Sequence, residues 1–446
     1  MDDAYITFRY ARNLSEGGGL VYNLGERVLG TSAPLFAVLL AALRRLTGVA
    51  IPDLAFALGA ACLPVCALLG YRLARRTVGP LPAALFVVAA LSPRPSLEVF
   101  ASGMETPLYL AGLLGAVELA CRGRDAAAFA AAGALCFVHP DAAALVAALF
   151  LALRAARGRW PWRALAIGLA PAAVGAAALW AAYGSPLPHS VTAKRLAYAM
   201  PPGYALSNLG ETILDPLVAR ETPAPQFLAA LVAVAALALI IMFGRAALGE
   251  IAALALAAFS TLYVAAFAIA NPLVFDWYRP PLALASTFLV IVCVAQLPRI
   301  GRAAATFLLA ASALVHLAAF RPYDPSGREK VYARAAESLA LRPEETVAGP
   351  EVGALGWATR ARVLDTTGLV SPAALGWLGR PEGEGGSIPP RLLRETDADA
   401  LVALDRFLEP ALRLDPGALA GWSEVARYPA RAFGGPRMVR AFRRTR

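Results

Sequence analysis

The feature that most constrains this chain is a series of long uncharged apolar runs between Leu54 and Phe320, separated by short clusters of arginine, proline and glycine. Several runs reach about 18 to 20 residues, the length a helix needs to cross a hydrocarbon core of about 30 Å. Composition agrees. Of the 446 residues, 59% are hydrophobic and 16% charged, with a mean hydropathy of +0.59, whereas a soluble domain carries about a quarter charged residues. The expected fold is mainly α, a polytopic α-helical membrane protein. A net charge of +10 would suit nucleic acid in a soluble protein, but the placement of the charges argues against that use.

Reading the runs as crossings at 54–71, 80–97, 106–120, 126–138, 141–153, 164–183, 226–244, 249–270, 279–297 and 303–320 gives about ten spans. One set of alternate loops then holds Arg72, Arg75, Arg76, Arg122, Arg124, Arg154, Arg157, Arg159, Arg163, Arg245, Arg299 and Arg302. The opposite set holds Arg94, Lys194, Arg195, Arg220 and Arg279. Because translocated loops are poor in lysine and arginine, the first set is expected in the cytoplasm and both chain ends outside it. The runs at 126–138 and 141–153 are short, so a tilted or re-entrant pair flanking His139-Pro140-Asp141 is the alternative there. With an outside N-terminus, a further apolar helix upstream of Met1 is expected. All five cysteines lie in or beside apolar runs, and their spacing implies neither a disulfide framework nor a zinc site.

Three regions follow: residues 1–53 as a first outer loop with surface helices, 54–320 as the helical core, and 321–446 as a small extracytoplasmic α/β domain. Leu35 to Leu46 forms an apolar helix face too short to span, expected along the membrane surface. In the tail, Glu329–Leu341 reads as a helix, and Thr346–Ala348, Val363–Leu364 and Ala400–Leu404 as strands between glycine-rich turns.

Candidate chemistry begins at Asp2 and Asp3. One carboxylate of such a pair can take a proton from an acceptor hydroxyl, and the other, or a divalent ion held by both, can orient it. Arg9 and Tyr10 lie about two helical turns further along the same broad face and are candidate substrate contacts. On physical grounds alone, two acids opening a helix, where its dipole favours them, explain the pair equally well.

Glu105, at the outer end of an apolar run, reads as a sugar-hydroxyl contact or a helix cap. His139 and Asp141 read as the polar floor of a cavity or as a tight turn around Pro140. Lys194 and Arg195 could hold a phosphate or anchor the chain at the lipid surface. In Asp276-Trp277-Tyr278-Arg279, Arg279 is the phosphate candidate and Tyr278 a sugar-facing ring, although aromatic residues also populate membrane interfaces. The three histidines are too dispersed for a metal cluster. If an ion takes part, oxygen ligands from Asp2, Asp3 or Glu105, together with a substrate phosphate, would suit Mg2+ or Mn2+.

The stretch DDAYITFRYARNLSEGGGLVYNLGERVLGTSAPL at 2–35 resembles the first outer loop of the GT-C glycosyltransferases, particularly the terminal arabinofuranosyltransferases of actinobacterial cell walls and their relatives. SGMETPLY at 102–109, HPDAA at 139–143, YGSPLPHSVTAK at 183–194, FDWYRPPL at 275–282 and GALGWATRARVLDTTGLVSP at 353–372 are similar to further landmarks of that family, in the same order. The resemblance implies a GT-C-like fold and a polyprenyl-phosphate sugar donor. It also implies a catalytic base that falls on Asp2 or Asp3, with Asp2 favoured and Asp3 as acceptor or metal contact. The expectation is inverting transfer to a hydroxyl of an extracytoplasmic glycan, lipid or protein, at a bacterial inner membrane, with Lys194 and Arg279 stabilising the leaving phosphate. A transporter or flippase, and a non-catalytic assembly protein on the same scaffold, are the rival classes.

Overall fold

The apolar runs fold as helices because they contain neither the β-branched alternation of strands nor, with few exceptions, internal breakers. A computed structural model describes residues 1–198, 200–214, 250–320, 327–378, 387–432 and 435–445. In chain order its helices are α1 (Asp2–Ser15), α2 (Pro34–Thr47), α3 (Ile51–Val78), α4 (Pro80–Leu91), α5 (Arg94–Phe100), α6 (Thr106–Cys121), α7 (Asp125–Leu135), α8 (Ala143–Arg157) and α9 (Trp162–Tyr183). They continue as α10 (His189–Ala197), α11 (Tyr204–Leu214), α12 (Ile251–Ala270), α13 (Arg279–Ala295), α14 (Arg299–Ala319), α15 (Arg328–Ser338), α16 (Val352–Ala358), α17 (Pro390–Glu395) and α18 (Asp405–Leu414). The strands are β1 (Thr346–Gly349), β2 (Arg362–Asp365), β3 (Ala400–Leu404), β4 (Trp422–Ala432) and β5 (Gly435–Arg444). Two compact units result, one of residues 1–55, 177–199 and 323–446, the other of 56–176 and 200–322. The first segment and the polar tail, separated by some 270 positions in the sequence reading, thus share one unit.

Among the described residues five helical segments are long and apolar enough to cross a bilayer: Ile51–Val78, Trp162–Tyr183, Ile251–Ala270, Asp276–Ala295 and Arg299–Ala319. A sixth is counted if α4 and α5 form one broken span. Ten were expected. The difference arises where runs are interrupted: the run at 80–97 bends by 79° between α4 and α5, where Pro93 cannot donate a backbone hydrogen bond. The runs at 126–138 and 141–153 give helices of 11 and 15 residues, separated by a 3-10 turn at Pro140–Ala142. At 1.5 Å per residue α7 covers only about half a hydrocarbon core, so the run at 126–138 is not a straight full-length span. The run at 226–244, with Arg220 and Arg245, lies outside the described residues. Within the second unit α13 is the most enclosed of the long helices, and Phe288 on it meets Phe86 of α4 edge-on at 5.4 Å.

The first unit carries a five-stranded sheet in the order β2-β1-β3-β5-β4. β1 is parallel to β2 and β3, and β5 runs antiparallel to β3 and β4. Three strands and α15 fall where the sequence places them. The β4–β5 hairpin was not read, because its alternation is carried by alanine and arginine rather than by the β-branched residues that mark strands. Helix α2 buries Phe36, Ala37, Leu40 and Ala41 and packs beside α1.

The tightest packing in this unit lies between α1 and α16. A Cβ on Gly353 would collide with the backbone carbonyl of Asp2, and one on Gly356 would collide with the Tyr22 hydroxyl and itself lie 3.1 Å from Arg9 Nη1. Glycines three apart on one helix face therefore let α1 approach the α16 backbone directly. Gly356→Ala is expected to destabilise the protein by about 1 to 3 kcal/mol through overpacking. Gly376→Ala, at a position where a Cβ would meet nothing within 4 Å, is expected to be near neutral, and thermal unfolding in neutral detergent compares the two.

Candidate functional site

Helix α16 has only seven residues, too few to be stable on propagation alone, and its terminal N–H and C=O groups need partners. At its N-terminus Glu351, the N-cap residue, makes no side-chain cap bond. Asp2 fills that role. Its two carboxylate oxygens accept the backbone N–H groups of Gly353 at 3.0 Å and Ala354 at 2.8 Å. Asp2 is buried, and burial raises its pKa against the opposing pull of Arg328 and the Ala354 N–H.

At the other end of α16, arginines of α1 meet carbonyl groups. Arg9 donates from Nη1 to the Gly356 carbonyl at 2.7 Å, from Nη2 to the Ala361 carbonyl at 2.8 Å, and from Nε to the Tyr22 carbonyl at 2.8 Å. Arg12 donates to the Trp357 carbonyl at 2.7 Å, with its guanidinium 4.8 Å from the centre of the Trp357 ring. Arg9, expected as a substrate contact, is buried, and its donors are engaged by protein carbonyls. Tyr10 is likewise engaged within the protein. Its hydroxyl donates to the Val28 carbonyl at 2.6 Å, accepts the Gly30 N–H at 2.7 Å, and has no exposed surface.

Asp3, the neighbour of Asp2, points elsewhere. Its side chain is 30% exposed and lies 3.7 Å from Nζ of Lys194, which α10 presents in its last turn. One helical turn later Tyr198 is close enough to Asp3 for the carboxylate to add to the desolvation that raises its phenol. Arg195 is exposed. The adjacent acids thus divide by one step of a helix: Asp2 turns inward to a backbone, and Asp3 outward to a cation.

Further ionisable groups gather here that the sequence reading did not select. Arg328 donates to Glu351 at 2.7 Å and lies 3.8 Å from Glu329. Burial pushes the Glu351 carboxyl up to about 7, overcoming the attraction of Arg328, while the nearby Asp2 adds to the rise. Asp365 is buried inside the loop it organises, accepting Thr367 N–H at 2.8 Å, Thr367 Oγ1–H at 2.6 Å and Val370 N–H at 3.1 Å. Burial pushes it up to about 6. The DTTG stretch carries an Asx-turn signature that could have marked Asp365. Arg328 and Glu351 carry no local signal, because their pairing joins residues 23 positions apart.

The remaining sequence candidates lie in the second unit. The ring of His139 stacks on Tyr109 at 4.9 Å and meets Tyr278 edge-on at 5.6 Å, and His139 Nδ1 is bonded to Asp141. Glu105 is buried and makes no side-chain cap bond at the start of α6. Arg279 is buried, donating to Asn208 Oδ1 at 3.1 Å with Asp276 at 3.4 Å. Each unit therefore gathers its own set: Asp2, Asp3, Arg9, Tyr10 and Lys194 in one, Glu105, His139, Asp141, Tyr278 and Arg279 in the other.

A divalent ion needs several converging oxygen ligands. Among the described residues no three His, Cys, Asp or Glu side chains converge in this way, and both oxygens of Asp2 are directed at backbone N–H groups. The Asp2–Asp3 pair does not fit the Mg2+ or Mn2+ site expected of it, and no chemical step is derived through an ion.

No family model matches the chain, and no curated protein matches it by sequence. Among solved structures, ArnT from Cupriavidus metallidurans bound to undecaprenyl phosphate is similar with a TM-score of 0.55 at 15% identity, covering 98% of this chain and 93% of that one. ArnT in the apo state gives 0.52 at 14% identity, with coverage of 99% and 93%. Arabinofuranosyltransferase AftD from Mycobacteria gives 0.47 at 15% identity, covering 38% of its own chain. The likeness to ArnT shows a GT-C-like fold.

The raised pKa of Glu351 sets a pH dependence. A carboxyl whose folded value is above its unfolded one contributes stability that is complete below the unfolded value and is lost as pH rises through the folded one. For Glu351 that window runs from 4.5 to about 7. Denaturant titrations across it should show wild-type protein losing roughly 3 kcal/mol more stability than Glu351→Gln; equal losses would remove Glu351 as the source.

Proposed function

We propose that this chain is a multi-pass membrane glycosyltransferase that moves a sugar from a polyprenyl-phosphate donor to a hydroxyl of an extracytoplasmic glycan, lipid or protein acceptor. The observation that carries the proposal is the division of the acid pair: Asp2 is engaged in the interior, and Asp3 is a partly exposed carboxylate 3.7 Å from the ammonium of Lys194. Support for the donor class comes from the GT-C-like fold and from the undecaprenyl phosphate bound by ArnT. Five apolar helices of spanning length support the membrane setting. A bacterial inner membrane with the acids outside the cytoplasm is part of the same proposal, the orientation resting on the arginine bias counted over the ten runs of the sequence.

In this reading Asp3 is the base and Asp2 a positioning residue, the reverse of the order favoured from the sequence. The acceptor hydroxyl gives its proton to Asp3 as its oxygen bonds to the anomeric carbon. The bond from that carbon to the phosphate oxygen breaks on the opposite face, so configuration inverts. The electron pair leaves with the polyprenyl phosphate, whose charge Lys194 stabilises. Arg279, already held by Asn208 and Asp276, is not assigned a step.

Transfer of radiolabelled sugar from a panel of polyprenyl-phosphate donors tests this. Asp3→Asn is expected to lower the rate by about 100- to 10,000-fold and Lys194→Gln by about 100-fold, both with unchanged unfolding temperature. Asp2→Ala should act first on stability, by about 1 to 3 kcal/mol, because two buried N–H groups lose their acceptor. Full activity in Asp3→Asn would rule it out as the base, and no transfer by wild-type protein from any donor would overturn the transferase reading.

A further inference from the structure

At one end of the second unit, three guanidinium groups from two helices converge on a single buried carboxylate. Arg72 and Arg76, one turn apart in the final turns of α3, lie 3.5 and 3.0 Å from Glu118 Oε1. Arg122, the C-cap residue of α6 one turn beyond Glu118, lies 2.8 Å from the same oxygen. The Glu118 side chain is 6% exposed, whereas those of Arg72, Arg76 and Arg122 are 45%, 35% and 41% exposed. One carboxylate neutralises one of three cations, and one oxygen accepts few of the N–H donors that three guanidinium groups carry. Arg75 and Arg124 add exposed positive charge beside them.

Helix-dipole stabilisation and cytoplasmic retention of arginine account for positive charge at these helix ends. Neither requires side chains of separate helices to be gathered around one buried acid. That arrangement holds like charges together at a distance where they repel, and it becomes favourable when an anion with several acceptor oxygens is added. Phosphate has that geometry and binds guanidinium through paired N–H bonds.

We infer that the cluster of Arg72, Arg76 and Arg122 around Glu118 is a binding site for the phosphate of an anionic lipid headgroup. A lipid is the source, rather than free phosphate, because the arginines occupy the last turns of α3, an apolar helix of spanning length. In a bilayer those turns lie at headgroup depth. The inference rests on the membrane reading proposed above and is independent of the assignment of Asp3.

The test uses the full chain purified in neutral detergent and native mass spectrometry. Dioleoyl phosphatidylglycerol, phosphatidylcholine with the same acyl chains, and inorganic phosphate are titrated separately. Wild-type protein is expected to retain phosphatidylglycerol in preference to phosphatidylcholine. Combined Arg72→Gln, Arg76→Gln and Arg122→Gln substitutions should weaken retention by about a hundredfold, roughly fivefold per arginine. Adding Glu118→Gln to these three keeps the comparison valid if the lone buried acid prevents folding. Arg159→Gln, Arg163→Gln and Arg299→Gln, which remove equal charge from exposed positions, should change retention by less than about threefold for the set. Unaltered retention in the cluster variant, equal loss in the control, or full displacement of the lipid by millimolar inorganic phosphate would each overturn the site. Partition of wild-type protein into the aqueous phase of a detergent separation would instead overturn the membrane reading itself.

Discussion

The first unit depends on α1 acting as the cap for both ends of α16. A seven-residue helix leaves most of its backbone groups at a terminus, and here one neighbouring helix supplies an acid for the N–H end and two arginines for the C=O end. The charges match the helix dipole at both ends, and the shared orientation of the two helices follows from that match. Gly353 and Gly356 make it sterically feasible, because the caps reach their partners only if the two backbones lie close together. The β2 strand is drawn into the same arrangement: the Asn23 side chain exchanges hydrogen bonds with both backbone groups of Val363, so the first segment docks on the β2 edge of the sheet.

This arrangement explains how adjacent identical residues can differ in role. Successive positions on a helix are separated by about 100°. Fixing Asp2 against α16 therefore turns Asp3 away from it, toward Lys194. Behind Asp2, Arg328 lies between Glu329 and Glu351, both of them buried acids.

The two units carry different kinds of order. In the first, hydrogen bonds from side chains to backbone groups distant in sequence determine the packing, as with Arg9 and the Gly356 and Ala361 carbonyls. In the second, long apolar helices pack through rings and small residues. Its polar groups sit at helix ends, as in His139 with Asp141 and Arg279 with Asn208. Buried polar groups of this kind are costly unless partnered, and His139 and Arg279 both find partners within their own unit.

Much of this was legible in the sequence. The lengths of the apolar runs determined a helical class, the strands at 346–348, 363–364 and 400–404 were visible as short apolar stretches between glycines, and the quoted motifs pointed to a GT-C-like fold. The direction of Asp2 and Asp3 was not legible, because periodicity gives the angle between two side chains and not what either one faces. Arg9 read as a ligand contact for the same reason: an arginine beside two acids looks available until the carbonyls that engage it are brought in from more than 340 positions away. The sequence by itself determined which segments are helical and which residues can ionise. Only the tertiary structure decided which of two neighbouring carboxylates is a buried cap and which stays partly open to solvent, because that choice depends on a helix distant in sequence whose backbone must be satisfied.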